Sequence, residues 1–286
     1  MPEGDALYRF ARRVGDALQG KVILAARAHG PGPVPKVERV VGTVCERVES
    51  RGKNLLITFD NGLALRGHLR MYGTWHVYRP GQRWARPAAE ARLVLETADA
   101  VVVNFSAPVI ELLEARALAH HAPVAELGPD LLADDFDPGE ALRRLRDPLR
   151  AEMTIGDAIM DQRVMAGVGN IWKHETLFRC GVYPWARVRD LDDSTLLEVI
   201  ETAQHLLRAS AGKSNKWGLG RRPSTYAYMR GGQPCRRCGT VLRSARQGID
   251  IRFTAWCPRC QPAPAAGGPA PPQQGARNHP PGAPQG

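Results

Sequence analysis

Apolar side chains near the start of the chain recur at helical spacing. Within residues 5–19 they fall at intervals of three and four, at Leu7, Phe10, Ala11, Val14 and Leu18. This spacing predicts an amphipathic helix. Gly20 follows directly, as is typical of the residue just past a helix end.

After Gly20 the pattern changes to short runs of β-type residues. Asp60, Asn61 and Gly62 separate two of these runs and predict a tight hairpin turn. Many short strands at this spacing predict an antiparallel β-sandwich or barrel behind the first helix. The runs occupy residues 22–26, 40–48, 54–59, 63–69, 74–78, 92–96 and 101–105.

The stretch from about residue 106 to 137 is irregular and acidic. Pro108, Pro123 and the Gly128-Pro129 pair interrupt it. We therefore place an interdomain linker near residues 118–130.

After this stretch the sequence contains signals for helix N-termini. Asp137 to Glu140 combine an N-cap, a proline at the first helical position and a glutamate three residues on. Thr154 to Asp157 resembles a second capping box that opens a short helix. These signals predict a helical second domain.

A turn punctuated by glycines, residues 165–170, leads into the next helix. We predict that Asn170 caps this helix and that it runs to about Arg179. A longer amphipathic helix is predicted over residues 194–209. Two helices joined by so tight a turn predict a helix-two-turn-helix.

Four of the six cysteines form two C-x₂-C pairs separated by eighteen residues: Cys235, Cys238, Cys257 and Cys260. This spacing predicts a tetrathiolate zinc site. Because four thiolates complete the coordination shell, the metal is expected to be structural. Disulfides are the alternative, which a reducing compartment disfavours.

Charge is concentrated in the same region. The chain carries a net charge of +10, and residues 213–260 hold eleven Lys and Arg residues against one acid, Asp250. A basic module fused to a zinc site predicts a polyanionic partner, most economically nucleic acid. A solvated basic face is the alternative.

Composition narrows the class of protein. The apolar fraction is that of a globular chain, and no run of eighteen apolar residues or signal-peptide pattern occurs. We expect a cytoplasmic protein without membrane contact. Residues 262–286, rich in Pro, Gly, Ala and Gln, predict a disordered tail and a candidate for weak partner contacts.

Several motifs together resemble the formamidopyrimidine-DNA glycosylase and endonuclease VIII family. They are the Pro2-Glu3-Gly4 start, Arg51-Gly52-Lys53, Ala166 to Asn170 and the terminal zinc hairpin, in the family's order up to about Gln261. The Pro-Glu-Gly start is similar to the endonuclease VIII branch, which favours oxidised pyrimidines. The resemblance implies a monomeric bacterial repair enzyme that binds damaged DNA at the nucleoid.

The expected fold class is therefore α+β multidomain: an N-terminal helix with an antiparallel β-sandwich, a helix-two-turn-helix domain and a C-terminal zinc-finger hairpin. The boundaries we predict are 1–120 for the catalytic domain, 131–215 for the helix-two-turn-helix domain, 228–261 for the zinc hairpin and 262–286 for the tail.

The chain start offers the chemistry of a glycosylase. An α-amine titrates near 8, so about a tenth of it is neutral near pH 7 and available as a nucleophile. After removal of Met1, Pro2 would attack the sugar C1′ and form an iminium that promotes β-elimination. Glu3 is placed to act as the general acid or base, although an acid there also complements a helix dipole.

By resemblance, Lys53 contacts phosphate and assists base removal, Asn170 binds phosphate, and Arg252 grips DNA and assists elimination. Arg70, Met71 and Tyr72 match the loop that fills the gap left by a flipped base. Two positions depart from the family: Arg70 stands where the pyrimidine branch often has Gln, and Ala6 where the family has a second Glu.

Two other interpretations stay open. The chain could be a lesion-binding protein of the same scaffold without turnover, or a general nucleic-acid-binding zinc protein whose Pro-Glu start is accidental. The joint presence of Pro2, Glu3 and Lys53 favours the enzyme, because a binding protein needs none of them as a set. The preferred lesion, the opposite base and the choice between duplex and single strand are left undetermined.

Overall fold

The computed structural model describes residues 2–30, 33–212 and 225–264 of the chain. The helices are α1 (Gly4–Leu18), α2 (Ala122–Ala125), α3 (Pro138–Leu145), α4 (Ile155–Ala158), α5 (Asn170–Arg179) and α6 (Asp193–Ala211). The strands are β1 (Ala25–Ala28), β2 (Cys45–Arg51), β3 (Asn54–Phe59), β4 (Leu63–His68), β5 (Thr74–Tyr78), β6 (Ala91–Glu96), β7 (Val101–Phe105), β8 (Val109–Glu114), β9 (Arg243–Gln247) and β10 (Arg252–Trp256).

The N-terminal part is a sandwich of two antiparallel sheets with α1 against it. One sheet has the strand order β1-β6-β7-β5 and the other β2-β3-β4-β8. Leu7, Phe10 and Val14 of α1 share one buried core with side chains from both sheets, such as Ile57 and Leu95. Burial of each such side chain contributes roughly 1.5–3 kcal/mol, so the helix and the sheets stabilise one another.

The hairpin predicted at Asp60-Asn61-Gly62 is confirmed. It joins β3 to β4, which pair in antiparallel register from Asn54 opposite His68 to Thr58 opposite Ala64. Gly62 has φ +78, a left-handed conformation that favours glycine.

Strand β8 corrects the prediction of irregular structure after residue 105. It pairs with β4, from Leu63 opposite Glu114 to His68 opposite Val109. The strand lies at the edge of its sheet, where Glu111 and Glu114 are only partly buried or exposed. An edge strand tolerates charged residues and a preceding proline. Because these residues are not typical of a strand, the sequence pattern did not indicate β8. Strand β1 was also misplaced, since it begins at Ala25 rather than residue 22.

The helical part has its own core, formed by α3, α4, α5 and α6. The predicted caps at Asp137 and Thr154 are confirmed, since each side chain accepts a backbone N–H of its helix. Trp256 of β10 inserts into this core, with its ring 4.7 Å from that of Trp185. The C-terminal hairpin of β9 and β10 is thereby packed against the helices.

The predicted tail and the predicted domain boundaries stay predictions. The tail from residue 265 onward is outside the described residues. Among the described helices, none is both long and apolar enough to cross a bilayer.

Candidate active site

The Glu3 side chain lies at the junction between the N-terminal part and the helical part. It is 2% exposed, and its carboxylate accepts hydrogen bonds from the backbone N–H groups of Gly169 at 3.1 Å, Ile171 at 2.7 Å and Trp172 at 3.2 Å. These are free donors at the start of α5, where a helix also favours negative charge. Glu3 therefore caps a helix that begins 167 residues after it along the chain.

This geometry corrects the predicted role of Asn170 as the N-cap of α5. The cap position is Gly169, Asn170 is the first helical residue, and no side chain of the cap residue bonds the helix. The amide of Asn170 instead approaches the carbonyl of Phe253 in β10, at 3.4 Å. Its phosphate-binding role remains a prediction, but it now depends on the side chain, since Glu3 occupies the helix N–H groups.

Glycines permit this close junction. The N–H of Gly4 donates to the carbonyl of Gly167 at 2.9 Å, and a methyl group built on Gly4 would lie 2.7 Å from the Gly167 Cα. A methyl group on Gly169 would lie 2.3 Å from the Glu3 carboxyl carbon. Backbone and carboxylate therefore occupy the space that side chains would need, which accounts for the glycine punctuation of the motif.

Burial strongly changes the protonation of Glu3. It raises the pKa of the carboxyl group to about 7, while the positive charge of Lys53 and the N–H groups of α5 oppose the rise. Burial likewise lowers the pKa of Lys53 to about 8, against the attraction of Glu3. Glu3, whose pKa lies near neutrality, thus directly follows Pro2, which is itself half-buried.

The turn that carries Lys53 is fixed to the helical part. The N–H of Gly52 donates to the carboxylate of Asp130 at 2.6 Å, and a methyl group on Gly52 would lie 3.1 Å from the Ala166 Cβ. The Arg51-Gly52-Lys53 motif thus contacts the glycine-rich turn. Sequence reasoning missed Asp130; its position after Gly128-Pro129 was the only signal.

Arg252 is the first residue of β10, and it lies close enough to Lys53 to affect its charge. Its guanidinium pairs with Asp250 at 2.8 Å, and its positive charge contributes to the lowered pKa of Lys53. The preceding residue, Ile251, has φ +50, an outlying conformation for a β-branched residue of the kind found at functional sites.

Three successive residues of α5 hold the C-terminal hairpin in place. Lys173 donates to the Thr254 hydroxyl at 2.7 Å, and His174 accepts the N–H of Ala255 at 2.9 Å. Glu175 accepts the N–H groups of residues 226–228 at 2.8–3.0 Å. None of the three was predicted from sequence. Through them the helix that Glu3 caps also positions Arg252.

His68 is a further candidate that sequence reasoning missed. It ends β4 directly opposite Asn54, and burial lowers its pKa to about 4, with Arg66 and Lys53 acting in the same direction. It is therefore a neutral imidazole beside the Lys53 turn at physiological pH. A histidine immediately before the predicted loop was the available signal.

The loop after β4 presents Arg70, Met71 and Tyr72 at the surface. Tyr72 is 77% exposed and Met71 is 55% exposed, so neither belongs to the core. Arg70 has φ +44, which bends the chain sharply there. Exposed apolar side chains on a tight turn have the form that a wedge into stacked bases requires.

The four paired cysteines converge as predicted. All four sulfur atoms lie within 4.8 Å of one another, with Cys235 to Cys260 at 3.9 Å and Cys238 to Cys257 at 3.5 Å. Tetrahedral zinc with Zn–S bonds of about 2.3 Å needs sulfur separations of roughly 3.8 Å. The cluster fits one structural Zn²⁺ held by four thiolates.

Comparison with known families gives three matches along the chain. The formamidopyrimidine-DNA glycosylase N-terminal domain matches residues 1–108 and the formamidopyrimidine-DNA glycosylase H2TH domain matches residues 127–216. The zinc finger found in FPG and IleRS matches residues 232–263.

Full-length relatives agree with these matches. The chain is 42% identical to "Probable endonuclease 8 2" of Streptomyces coelicolor, over 94% of this chain and 97% of the relative. It is 37% identical to "DNA-(apurinic or apyrimidinic site) lyase Nei2" of Mycolicibacterium smegmatis, over 92% of this chain and 100% of the relative.

Solved structures show the same fold. A complex of Lactococcus lactis Fpg (MutM) with N7-benzyl-Fapy-dG DNA superposes with a TM-score of 0.79 at 20% identity, covering 92% of this chain and 100% of that one. Because the chain matches the family's domains and is 42% and 37% identical to these relatives over nearly their whole length, it belongs to the formamidopyrimidine-DNA glycosylase and endonuclease VIII family of DNA glycosylases and AP lyases.

Proposed function

We propose that this chain is a bifunctional base-excision repair enzyme that removes oxidised bases, preferentially pyrimidines, and then nicks the strand by β/δ-elimination. The observation that carries the proposal is the buried Glu3 carboxyl group, with its pKa raised to about 7, directly next to Pro2. Such a group is poised to give and take a proton near neutral pH.

Pro2 would act as the nucleophile once Met1 is removed. Its neutral secondary amine forms a bond to C1′ of the damaged nucleotide as Glu3 protonates the ring oxygen and the C1′–O4′ bond breaks. The new ammonium loses its proton, and its electron pair forms an iminium with C1′ as the glycosidic C–N bond breaks and the base leaves with the bonding electrons. Loss of a proton from C2′ then converts the iminium to an enamine, whose electron pair expels the 3′ phosphate.

Glu3 would supply the proton for ring opening. At a pKa of about 7, roughly half of it is protonated at neutral pH, so it can protonate the ring oxygen and later accept a proton. The three N–H groups of α5 hold the carboxylate in one orientation. Orientation of this kind is a large part of the catalytic advantage of an enclosed site.

The cations around Glu3 would hold the damaged strand. Lys53 lies on the turn beside Glu3, and Arg252 lies on the hairpin. Asn170, at the start of α5, contacts the residue that follows Arg252. Lysine, arginine and amide side chains at helix starts are common phosphate contacts in protein–DNA complexes. We assign damaged DNA as the partner on this basis.

Met71 and Tyr72 would fill the gap left by the flipped nucleotide. Unstacking a base costs a few kcal/mol, and exposed apolar side chains can offset that cost by occupying the vacated stack. Arg70, next to them, would face the unpaired partner base and influence its choice.

The preference for pyrimidines is inferred from the relatives named endonuclease 8 and from the Pro2-Glu3-Gly4 start. The monomeric state stays a prediction.

Borohydride trapping tests the mechanism directly. The purified protein is incubated with duplex DNA containing thymine glycol or an abasic site in the presence of borohydride, and the adduct is mapped by mass spectrometry. We expect an adduct on the peptide that begins with Pro2 when the duplex is damaged, and none when the same protein is mixed with undamaged duplex. Tight DNA binding without any adduct, or an adduct on a lysine in place of Pro2, would contradict the proposal and favour a lesion-binding protein.

A further inference from the structure

The carboxylate of Asp5, two residues after Glu3, accepts hydrogen bonds from three other side chains. One oxygen accepts the indole N–H of Trp172 at 3.1 Å, and the other accepts the Ser210 hydroxyl at 2.6 Å and the guanidinium of Arg9 at 3.1 Å. The residue is 6% exposed. An acid that only complemented the dipole of α1 would lie in solvent, so this arrangement requires a different account.

The contacts tie α1 to the end of α6. Arg9, one turn after Asp5, donates to the backbone carbonyl of Ser210 at 2.7 Å. Carbonyls at a helix end lack partners within their own helix and favour a positive charge. Asp5, Arg9 and Ser210 thus form a closed set in which the buried acid is paired and hydrogen-bonded, as a buried charge must be.

Trp172 links this set to Glu3. Its backbone N–H donates to the Glu3 carboxylate at 3.2 Å, while its indole N–H donates to Asp5. One residue of α5 therefore holds both acids of the chain start. If Asp5 lost its hold on the indole and on α6, the first turn of α1 would be free to shift relative to α5, and Glu3 with it.

We infer that Asp5 is a positioning residue for Glu3: its carboxylate fixes the first turn of α1 between the start of α5 and the end of α6. This inference rests on the proposed function. It also gives a physical meaning to the departure at the chain start, where Ala6 replaces the family's second glutamate and packs on the apolar core. The acid of this chain is one residue earlier and is directed at the helical part.

The test compares Asp5→Asn with Asp16→Asn, which removes the same charge from an exposed position of α1. Ser210→Ala is the milder variant, because it deletes only one hydroxyl. Three quantities are measured under single turnover: the rate of base release from thymine glycol duplex, the rate of borohydride trapping at a preformed abasic site, and the Kd for duplex.

A hydrogen bond to a charged group corresponds to about one to two orders of magnitude in an equilibrium constant. We expect Asp5→Asn to slow base release about 10- to 100-fold, with a smaller loss in Ser210→Ala and none in Asp16→Asn. The Kd and the trapping rate should change little, because Asp5 is buried and the abasic sugar has already lost its base.

The pH profile separates positioning from a general structural role. The charges that act on Glu3 are Lys53 and Asp5, and Glu3 in turn acts on Lys173. Because negative Asp5 helps to raise the pKa of Glu3, the midpoint for base release should move to lower pH in Asp5→Asn. A merely weakened fold would lower all rates together without moving this midpoint.

Two outcomes would overturn the inference. The first is an Asp5→Asn variant that releases base at the wild-type rate. The second is a variant that loses base release, trapping and thermal stability in parallel with an unchanged midpoint. Failure of the proposed function looks different, because the wild-type protein itself would then neither release base nor form an adduct.

Discussion

Glu3 combines two roles that are usually separate in a protein. Its carboxylate satisfies the free N–H donors of α5, and its burial in doing so raises its pKa to about 7. The hydrogen bonds alone would stabilise the ionised form, but desolvation is the larger effect. The residue is therefore held rigidly and is still able to carry a proton.

This balance predicts opposite pH trends for the two steps of the reaction. Under the proposed mechanism base release needs protonated Glu3, so its rate should fall about tenfold per pH unit well above 7. Trapping at an abasic site needs the neutral Pro2 amine, so its rate should rise with pH until about 8. Single-turnover rates from pH 6 to 9 test both trends.

Glu3→Gln provides the control for this measurement. This variant should release base slowly, and its rate of base release should not decline above pH 7. Its rate of trapping at an abasic site should still rise with pH. A wild-type profile for base release that is flat across this range would show that Glu3 does not act as the acid.

At the scale of elements, α5 connects the parts of the site. Its first turn holds Glu3, and its next residues, Lys173, His174 and Glu175, bind the segment before the zinc cluster and strand β10 within it. The hairpin carries Arg252, so the distance between acid and arginine is set by a single short helix. Sites on rigid elements hold geometry better than sites on loops.

Removal of zinc should therefore abolish DNA binding while leaving the sandwich folded. The hairpin has few core residues of its own, and structural zinc sites of this kind supply about 10–16 kcal/mol of folding free energy. Cys238→Ser should lose zinc and raise the Kd for duplex strongly, whereas Cys180→Ser, outside the cluster, should change neither. Zinc content and fluorescence anisotropy measure the two effects, and zinc-free protein that binds duplex normally would refute the role.

The elements also show which patterns a sequence reveals. Strands β3 and β7 were predicted with the observed bounds because they consist mainly of buried apolar residues. Strand β8 was missed because an edge strand exposes acids, and its pairing with β4 is invisible to a local pattern. The cap of α5 was wrongly given to Asn170, because the carboxylate that accepts its N–H groups belongs to Glu3, at the start of the sequence.

At the scale of the molecule, the site exists only where the N-terminal and helical parts meet. Motif residues such as Glu3, Lys53 and Asn170 could be chosen from the sequence through the family resemblance. Asp5, Asp130 and His68 could not, because their importance depends on partners that the fold brings together.

Gly4→Ala tests this junction. The added methyl group would lie 2.7 Å from the backbone of Gly167, so the two parts must separate slightly, and displacement of this order near a catalytic group can cost about 100-fold in rate. Gly15→Ala is the matched control on the same helix, since its methyl group would meet only ordinary contacts at 3.7 Å. There alanine should stabilise the helix by up to about 1 kcal/mol.

The rate of base release and the melting temperature are measured for both variants and compared with those of the wild-type protein. Activity that survives Gly4→Ala undiminished would show that the close approach of the two parts is not required.

The cap on α5 allows assembly of the site to be followed by amide hydrogen exchange. Amide protons in the first turn of a helix ordinarily exchange freely with solvent because they lack partners. Those of Ile171 and Trp172 are protected only while the Glu3 carboxylate is seated. Their hydrogen exchange thus reports, at two backbone positions and without any substrate, the fraction of molecules in which the proposed catalytic acid, Glu3, is in place.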